Sequence, residues 1–399
     1  MKNKLKLTTA LVGSLVAVSA GSALAQQATT YYDNGGKDGT TVSGNMYFSF
    51  RDQKVNGGNT ASTAGLAGLH GFGKEVQINI NNRGKLNNGW GYAAGFSIEV
   101  DGSENNAVST TGGAAAGQVS GMFSENNFID VMIGNTTLTV SVDHIQSPDN
   151  NPTLMGGPSS YVRPYPGTGV AGIYPTTINT PYESAGVGII QNVPGFGSFS
   201  ALYVPNRDAL SSNKAYFGND NGNTSVAADY NSTYGSAYEF GFMGDLGVPG
   251  LKASAWYNNS QKLNVTTYVG KMFGEKVNAT YAIPGTAFTV AAEWAKDGLP
   301  ATTATSGGQV TAASAGLSYA VTKDFSIAGT YAKAGRSDGN GGTAGDAVDK
   351  KDEVIKILSA GYSLGPVAVK GQYRTTSNVG GLHGNGGEKD FLVWSGVNF

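Results

Sequence analysis

The sequence predicts an all-β fold: a transmembrane, antiparallel, up-and-down β-barrel of sixteen strands, with eighteen as the alternative count. Three observations carry this reading. Apolar and polar residues alternate with a period of two over segments of about 9–11 residues, the length that crosses a bilayer when tilted. Short and long connections between these segments alternate along the chain. No run of about 18 apolar residues follows residue 25, so that part holds no spanning-helix candidate. Sixty glycines and only 14% charged residues are also unusual for a water-soluble globular domain.

The first strand is read near 41–51, where Val42, Gly44, Met46, Phe48 and Phe50 alternate with Ser43, Asn45, Tyr47, Ser49 and Arg51. The second lies near 73–83, with Val76, Ile78 and Ile80 on its apolar face. The third, "WGYAAGFSIEVD", sets Trp90, Tyr92, Ala94, Phe96, Ile98 and Val100 against the polar or small residues between them. A soluble sandwich would have strands of about 5–6 residues, so length favours a membrane wall. The series continues near 126–134, 136–145, 184–193, 197–205, 234–245, 250–258, 274–283, 287–296, 310–321, 324–334, 353–364 and 366–375. It ends on "EKDFLVWSGVNF", 388–399, in which Phe391, Val393, Ser395, Val397 and Phe399 share one face. Residues 258–286 are the hardest to read, because they hold either one strand plus a loop or two further short strands.

The short connections are "RGKLNN", "GNT", "PGFG", "GDLGVPG", "IPG", "VTKD" and "LGP"; the long ones are 52–72, 102–125, 146–183, 206–233, 297–309, 335–352 and 376–388. Short periplasmic turns and long extracellular loops are what an outer-membrane barrel has. Outward-facing aromatics gather at strand ends. Trp90, Phe242, Tyr281, Phe288, Tyr319, Phe325, Tyr362 and Phe399 stand at the short-turn side. Phe50, Tyr257, Trp294, Tyr373 and Phe391 stand toward the long loops. Amphipathic rings at two levels match the two interfaces of a bilayer.

Residues 1–25 read as a secretory signal peptide. Lys2, Lys4 and Lys6 precede an apolar stretch, and Ala23-Leu24-Ala25 offers a small-x-small cleavage site. Its removal lowers the formal charge of −2 by three units. The chain has no cysteine, which excludes a disulfide scaffold. It is acidic and lacks a basic patch of the kind that binds nucleic acid.

A leader of this kind, an alternating last strand and a terminal Phe resemble bacterial outer-membrane proteins. Sixteen strands with a long third loop resemble the general, non-specific porins among them. The resemblance is architectural and covers about 41–399. It implies a water-filled channel in the outer membrane for passive diffusion of small hydrophilic solutes and ions. It implies a homotrimer in contact with outer-membrane lipid and lipopolysaccharide, and insertion by the barrel-assembly machinery, with Phe399 part of the signal. It also implies that the third long loop, 146–183, folds inward as a constriction. Residues 26–40, "QQATTYYDNGGKDGT", depart from the pattern as a polar lead-in.

Parity then nominates the charges that line such a pore. The third loop carries Asp149, Arg163 and Glu183. Wall cations are Arg51, Arg83, Lys252, Lys370 and Arg374; wall anions are Glu75, Glu99, Asp130, Asp143 and Glu293. The mixed wall and acidic total point to a mild cation preference. The remaining inward positions, such as Asn45, Gln77, Asn81, Ser254, Asn278 and Gln372, are polar and predict a wetted surface.

Other chemistry is thinly represented. "GYSLG" at 361–365 matches G-x-S-x-G, but strands flank it on both sides, so no nucleophile elbow forms and no enzyme is expected. His70, His144 and His383 have no metal-ligand spacing, and no metal or cofactor is expected. Ca²⁺ on the Gly/Asp-rich loop "RSDGNGGTAGDAVDKKDE" is a lesser reading. Trp256 and Trp394 face inward by parity, which leaves a sugar-selective channel open as an alternative. So does a structural or adhesive surface barrel with a blocked lumen.

Overall fold

The computed structural model describes residues 38–56, 70–102, 122–142, 185–204, 236–260, 268–269, 272–299, 301–302, 308–337, 352–378 and 387–399. The expected signal peptide, most of the expected lead-in and the loop 146–183 lie outside the described residues, as does the 338–351 part of the Gly/Asp-rich loop.

In chain order the strands are β1 (Gly39–Asn56), β2 (His70–Lys85), β3 (Gly91–Gly102), β4 (Met122–Ile133), β5 (Thr136–Val142), β6 (Ala185–Val193), β7 (Gly197–Val204), β8 (Ala237–Gly244) and β9 (Leu251–Ser260). They continue as β10 (Tyr268–Val269), β11 (Met272–Ala282), β12 (Phe288–Leu299), β13 (Ala301–Thr302), β14 (Gly308–Ala320), β15 (Phe325–Ser337), β16 (Glu353–Leu364), β17 (Val367–Ser377) and β18 (Gly387–Asn398). Sixteen of them form one closed antiparallel barrel, and β10 pairs separately with β13. The ambiguous stretch 258–286 thus holds the end of β9, one whole barrel strand, β11, and the two-residue β10, which pairs outside the wall.

Strand bounds depart from expectation mainly at the long-loop side. β1 runs on to Asn56 and β2 begins at His70, so both ends of the expected loop 52–72 are strand. The alternating pattern weakens there, because the wall above the bilayer no longer has lipid on one side. All seven short turns lie where the sequence predicts. The turn between β16 and β17 is so tight that Gly365 takes φ 68°, which a residue with a Cβ adopts only under strain.

The two faces differ as the alternation requires. Ile129 is 63% and Leu358 65% exposed on the outer face, while the inward Gln77 is 1% exposed. Aromatic neighbours meet in the short-turn girdle: Phe288 lies 4.8 Å from Tyr319, and Phe199 lies 5.0 Å from Phe242. On the long-loop side Phe50 lies 5.1 Å from Phe72.

Closure is made by β1 and β18, which pair from Asn45 opposite Asn398 to Asn56 opposite Gly387. The terminal residue extends the ladder: Gly44 N–H donates to Phe399 O at 2.8 Å, and Phe399 N–H donates to Gly44 O at 3.0 Å. Gly44 is required by its surroundings. A Cβ there would stand 2.7 Å from the Phe399 ring and 2.5 Å from the Gln77 carbonyl oxygen. Gly371 has nothing within 4 Å of such a Cβ. Gly44→Val should therefore destabilise the barrel by about 1–3 kcal/mol through overpacking, whereas Gly371→Val should be near neutral. The midpoint temperature for loss of the folded band on denaturing gels checks both variants.

Candidate functional site

The inward face is where polar and ionisable groups gather. Alternation places Asn45, Arg51, Gln77, Asn81, Ser97, Asp130 and Thr139 inward on β1–β5, and all are buried. On β8–β12 the same holds for Glu239, Ser254, Trp256, Asn258, Lys276, Asn278 and Glu293. Lys370, Gln372, Arg374, Glu388, Asp390 and Trp394 complete the wall on β17 and β18. On the described strands the inward polar residues form a closely packed lining. Its side chains bond across strands: Asn45 Nδ2–H donates to Gln77 Oε1 at 3.2 Å, and Ser254 O–H donates to Asn278 Oδ1 at 2.7 Å.

The strongest feature is an ion-pair network across the closing seam. Arg51 on β1 donates two bonds to Asp390 on β18, Nε–H to Oδ1 at 3.1 Å and Nη2–H to Oδ2 at 3.0 Å. Arg374 on β17 reaches the same carboxylate at 3.2 Å and Glu388 at 3.2 Å. Glu353, buried on the inner face of neighbouring β16, adds a third carboxylate. Bidentate arginine–carboxylate pairs fix geometry as well as charge. A second pair, Lys276 Nζ to Glu293 at 3.3 Å, joins β11 to β12.

The predicted wall residues fall out as follows. Arg51, Lys370, Arg374, Asp130 and Glu293 are inward and buried. Lys370 Nζ lies 5.8 Å from the Trp394 ring centroid. Arg83 is half-buried, and Lys252 is exposed at the start of β9; both are near short turns. Glu75 and Glu99 belong to β2 and β3, but their side chains lie outside the described residues, as do Asp143, Asp149, Arg163 and Glu183 altogether. Trp256 and Trp394 are inward, as parity requires.

Sequence reasoning did not nominate Asp390, Glu388, Glu353, Glu239 or Lys276 as site residues. The parity rule that selected Arg374 would have selected them too. What it does not supply is partnership, since Arg51 and Asp390 are 339 residues apart. Nor does it anticipate apolar inward groups. Ile190, Leu202 and Ala237 form one buried inner cluster, and Ile355 and Ile357 join five alanines in another. Phe128 also points inward, accommodated by Gly95, where a Cβ would come within 2.8 Å of its ring. The pairing of β3 with β4 shifts register beside it, between Gly95 and Ser97. Ser363 of the G-x-S-x-G match stands in a strand–turn–strand context, its N–H bonded to Asp324 O.

Breaking the seam network on one side should cost more than removing it. Asp390→Asn leaves two buried guanidiniums with one fewer counter-charge and should destabilise by about 3–5 kcal/mol. Arg51→Met combined with Asp390→Leu should recover much of that loss. Urea unfolding in vesicles, followed by tryptophan emission, measures both.

Comparison with known proteins agrees with this architecture. A family model described as Gram-negative porin matches residues 8–340. Among solved structures, the fold is similar to an anion-selective porin from Comamonas acidovorans. That match has a TM-score of 0.60 at 13% identity and covers 91% of this chain and 100% of that one. It is similar to Salmonella typhi OmpF in complex with daunomycin, with a TM-score of 0.57 at 12% identity, covering 90% and 97%. It also resembles outer-membrane-expressed OmpT of Vibrio cholerae, with a TM-score of 0.55 at 10% identity, covering 90% and 97%. At these identities the likeness is one of fold. No curated protein matches the chain by sequence.

Proposed function

The chain belongs to the Gram-negative porin family and is an outer-membrane channel, and from that premise we propose that it is a general diffusion pore for small hydrophilic solutes and ions. The observation that carries this reading is the two-faced wall of a closed barrel: apolar residues outside, and hydrogen-bonded polar and charged residues inside. Such a barrel is too wide for side chains alone to fill, and selectivity then rests on a constriction and its charges.

The pore prefers cations mildly. Among the described buried charges on the inner wall, the acids Asp130, Glu239, Glu293, Glu353, Glu388 and Asp390 outnumber the bases Arg51, Lys276, Lys370 and Arg374. Both arginines are moreover engaged by carboxylates, which limits their pull on mobile anions. The loop 146–183 supplies the constriction, with Asp149, Arg163 and Glu183 as its charges. The assembly is a homotrimer in the outer membrane, and Phe399 contributes to its insertion signal. The protein works as a channel and not as an enzyme; the single serine motif lacks the strand-to-helix turn that a nucleophile elbow needs.

Planar-bilayer recording tests the reading. The wild type should show stepwise conductance, and in a tenfold KCl gradient its zero-current potential should lie slightly on the cation side. Asp149→Asn should move that potential toward the anion side, and Lys370→Gln further toward the cation side. If neither variant moves it, the constriction assignment is wrong; if no steps appear at all, the pore reading is wrong.

A further inference from the structure

The inner wall of β11, β12, β14 and β15 holds an arrangement that unselective diffusion does not use. Ala295 on β12 is opposite Ala312 on β14, and Ala312 is opposite Ala334 on β15. One inward step nearer the short turns, Glu293 is opposite Ser314, and Ser314 is opposite Ala332. The inward residues of β14 from Ala312 to Ser318, and of β15 from Ser326 to Ala334, are all small and uncharged. They make a low apolar floor within a lining of longer side chains. Its border on the β11 side is the ion pair of Lys276 with Glu293, 3.3 Å apart, with Lys276 opposite Ala295.

A floor of small residues is only wall until something points to a ligand. Here three polar atoms around the ion pair do so. Trp256 Nε1, Asn278 Nδ2 and Ser314 Oγ find no hydrogen-bond partner among the described residues, and each belongs to a residue more than nine-tenths buried. Trp256 is opposite Lys276, while Asn278 and Ser314 are opposite Glu293 from its two sides. Ser254 O–H donates to Asn278 Oδ1 at 2.7 Å, which leaves the amide's NH₂ as the group without a partner. The indole and amide N–H groups can only donate, and the hydroxyl can donate or accept. Buried donors without acceptors are unfavourable, so their grouping around one ion pair calls for ligand oxygens. The charges narrow the ligand further. A lone anion would meet Glu293, and a lone cation would meet Lys276. A neutral solute that parted the pair would leave two buried charges without partners. A zwitterion answers both charges.

We propose that this part of the wall is a selectivity site for zwitterionic α-amino acids with small apolar side chains. The ligand carboxylate takes Lys276, the Trp256 indole N–H and the Asn278 N–H as donors. The ligand ammonium donates to Glu293 and to Ser314 Oγ. The ligand side chain lies on the floor of Ala295, Ala312 and Ala332. Floor and pair are buried, so a solute reaches them as the Lys276 and Glu293 side chains part. The charges of the zwitterion then replace the contact that is lost, which an uncharged solute of the same size does not do. The site rests on the pore reading above and narrows its solutes.

The test compares L-alanine with its uncharged isomer lactamide. Tracer entry of each at low concentration is measured in proteoliposomes carrying the folded protein. Wild type should admit alanine faster than lactamide by roughly threefold or more. Lys276→Met combined with Glu293→Gln removes both charges together and should bring the ratio to about one. Trp256→Phe keeps a ring, removes only the N–H, and should lower the ratio by about half. The folded band on gels verifies each barrel, and if the charge variant fails to fold, Trp256→Phe decides. Equal entry of the two isomers through the wild type would overturn the site while leaving the pore reading intact. An unchanged ratio in the folded variants would overturn it as well. Entry of neither solute through a folded barrel would contradict the pore reading, and the site would fall with it.

Discussion

A strand inside a bilayer has no water to bond, so every N–H and C=O in it must find a partner on a neighbouring strand. An open sheet cannot meet that demand at its two edges. This constraint makes the pairing of β1 with β18 the contact on which the other fifteen strand pairs depend. The chain supports it in three ways. The ladder continues to the last residue, through Phe399 and Gly44. Gly44 gives the terminal ring its space. On the inner face, Arg51 and Asp390 clamp the same two strands with a bidentate bond.

Once closed, the wall separates two solvents, and each residue's role follows from the side it faces. Outward positions carry aliphatic groups at mid-height and rings near the ends. Inward positions carry the polar residues and the charges, bonded to one another along and across strands. The burial of these groups changes how the wall acts on ions. Arg51, Arg374 and Lys276 are held by carboxylates, so they bias the field of the pore less than exposed cations would. The seam network therefore has two effects from one geometry: it holds the closing strands in register, and it mutes the charges of both signs that take part in it.

Much of this was legible in the sequence because lipid enforces alternation. Strand bounds such as those of β16, β7 and β11 are recovered within a residue or two, and Phe399 declares the end of the last strand. The reading fails where that enforcement stops. Above the bilayer β1 and β2 extend into what reads as loop, because neither face there needs to be apolar. The inward Ile355, Ile357 and Phe128 pass unnoticed, since side chains that pack against one another along the inner wall tolerate apolar groups. The ion pairs are invisible for a different reason: parity assigns a face to Arg51 and to Asp390 but says nothing of the register that brings them together.

The closing register itself offers the most direct measurement. The chain contains no cysteine, so paired substitutions report without background. Tyr47 and Gly396 are opposite each other across the seam, flanked by the mutually bonded pairs of the ladder, a position where Cα atoms approach to about 4.5 Å. Tyr47→Cys with Gly396→Cys should oxidise rapidly in the folded protein and change its mobility on a denaturing gel. Tyr47→Cys with Trp394→Cys, two residues out of register, should not. Efficient crosslinking of the offset pair, or none in the aligned pair, would contradict a barrel closed in this register.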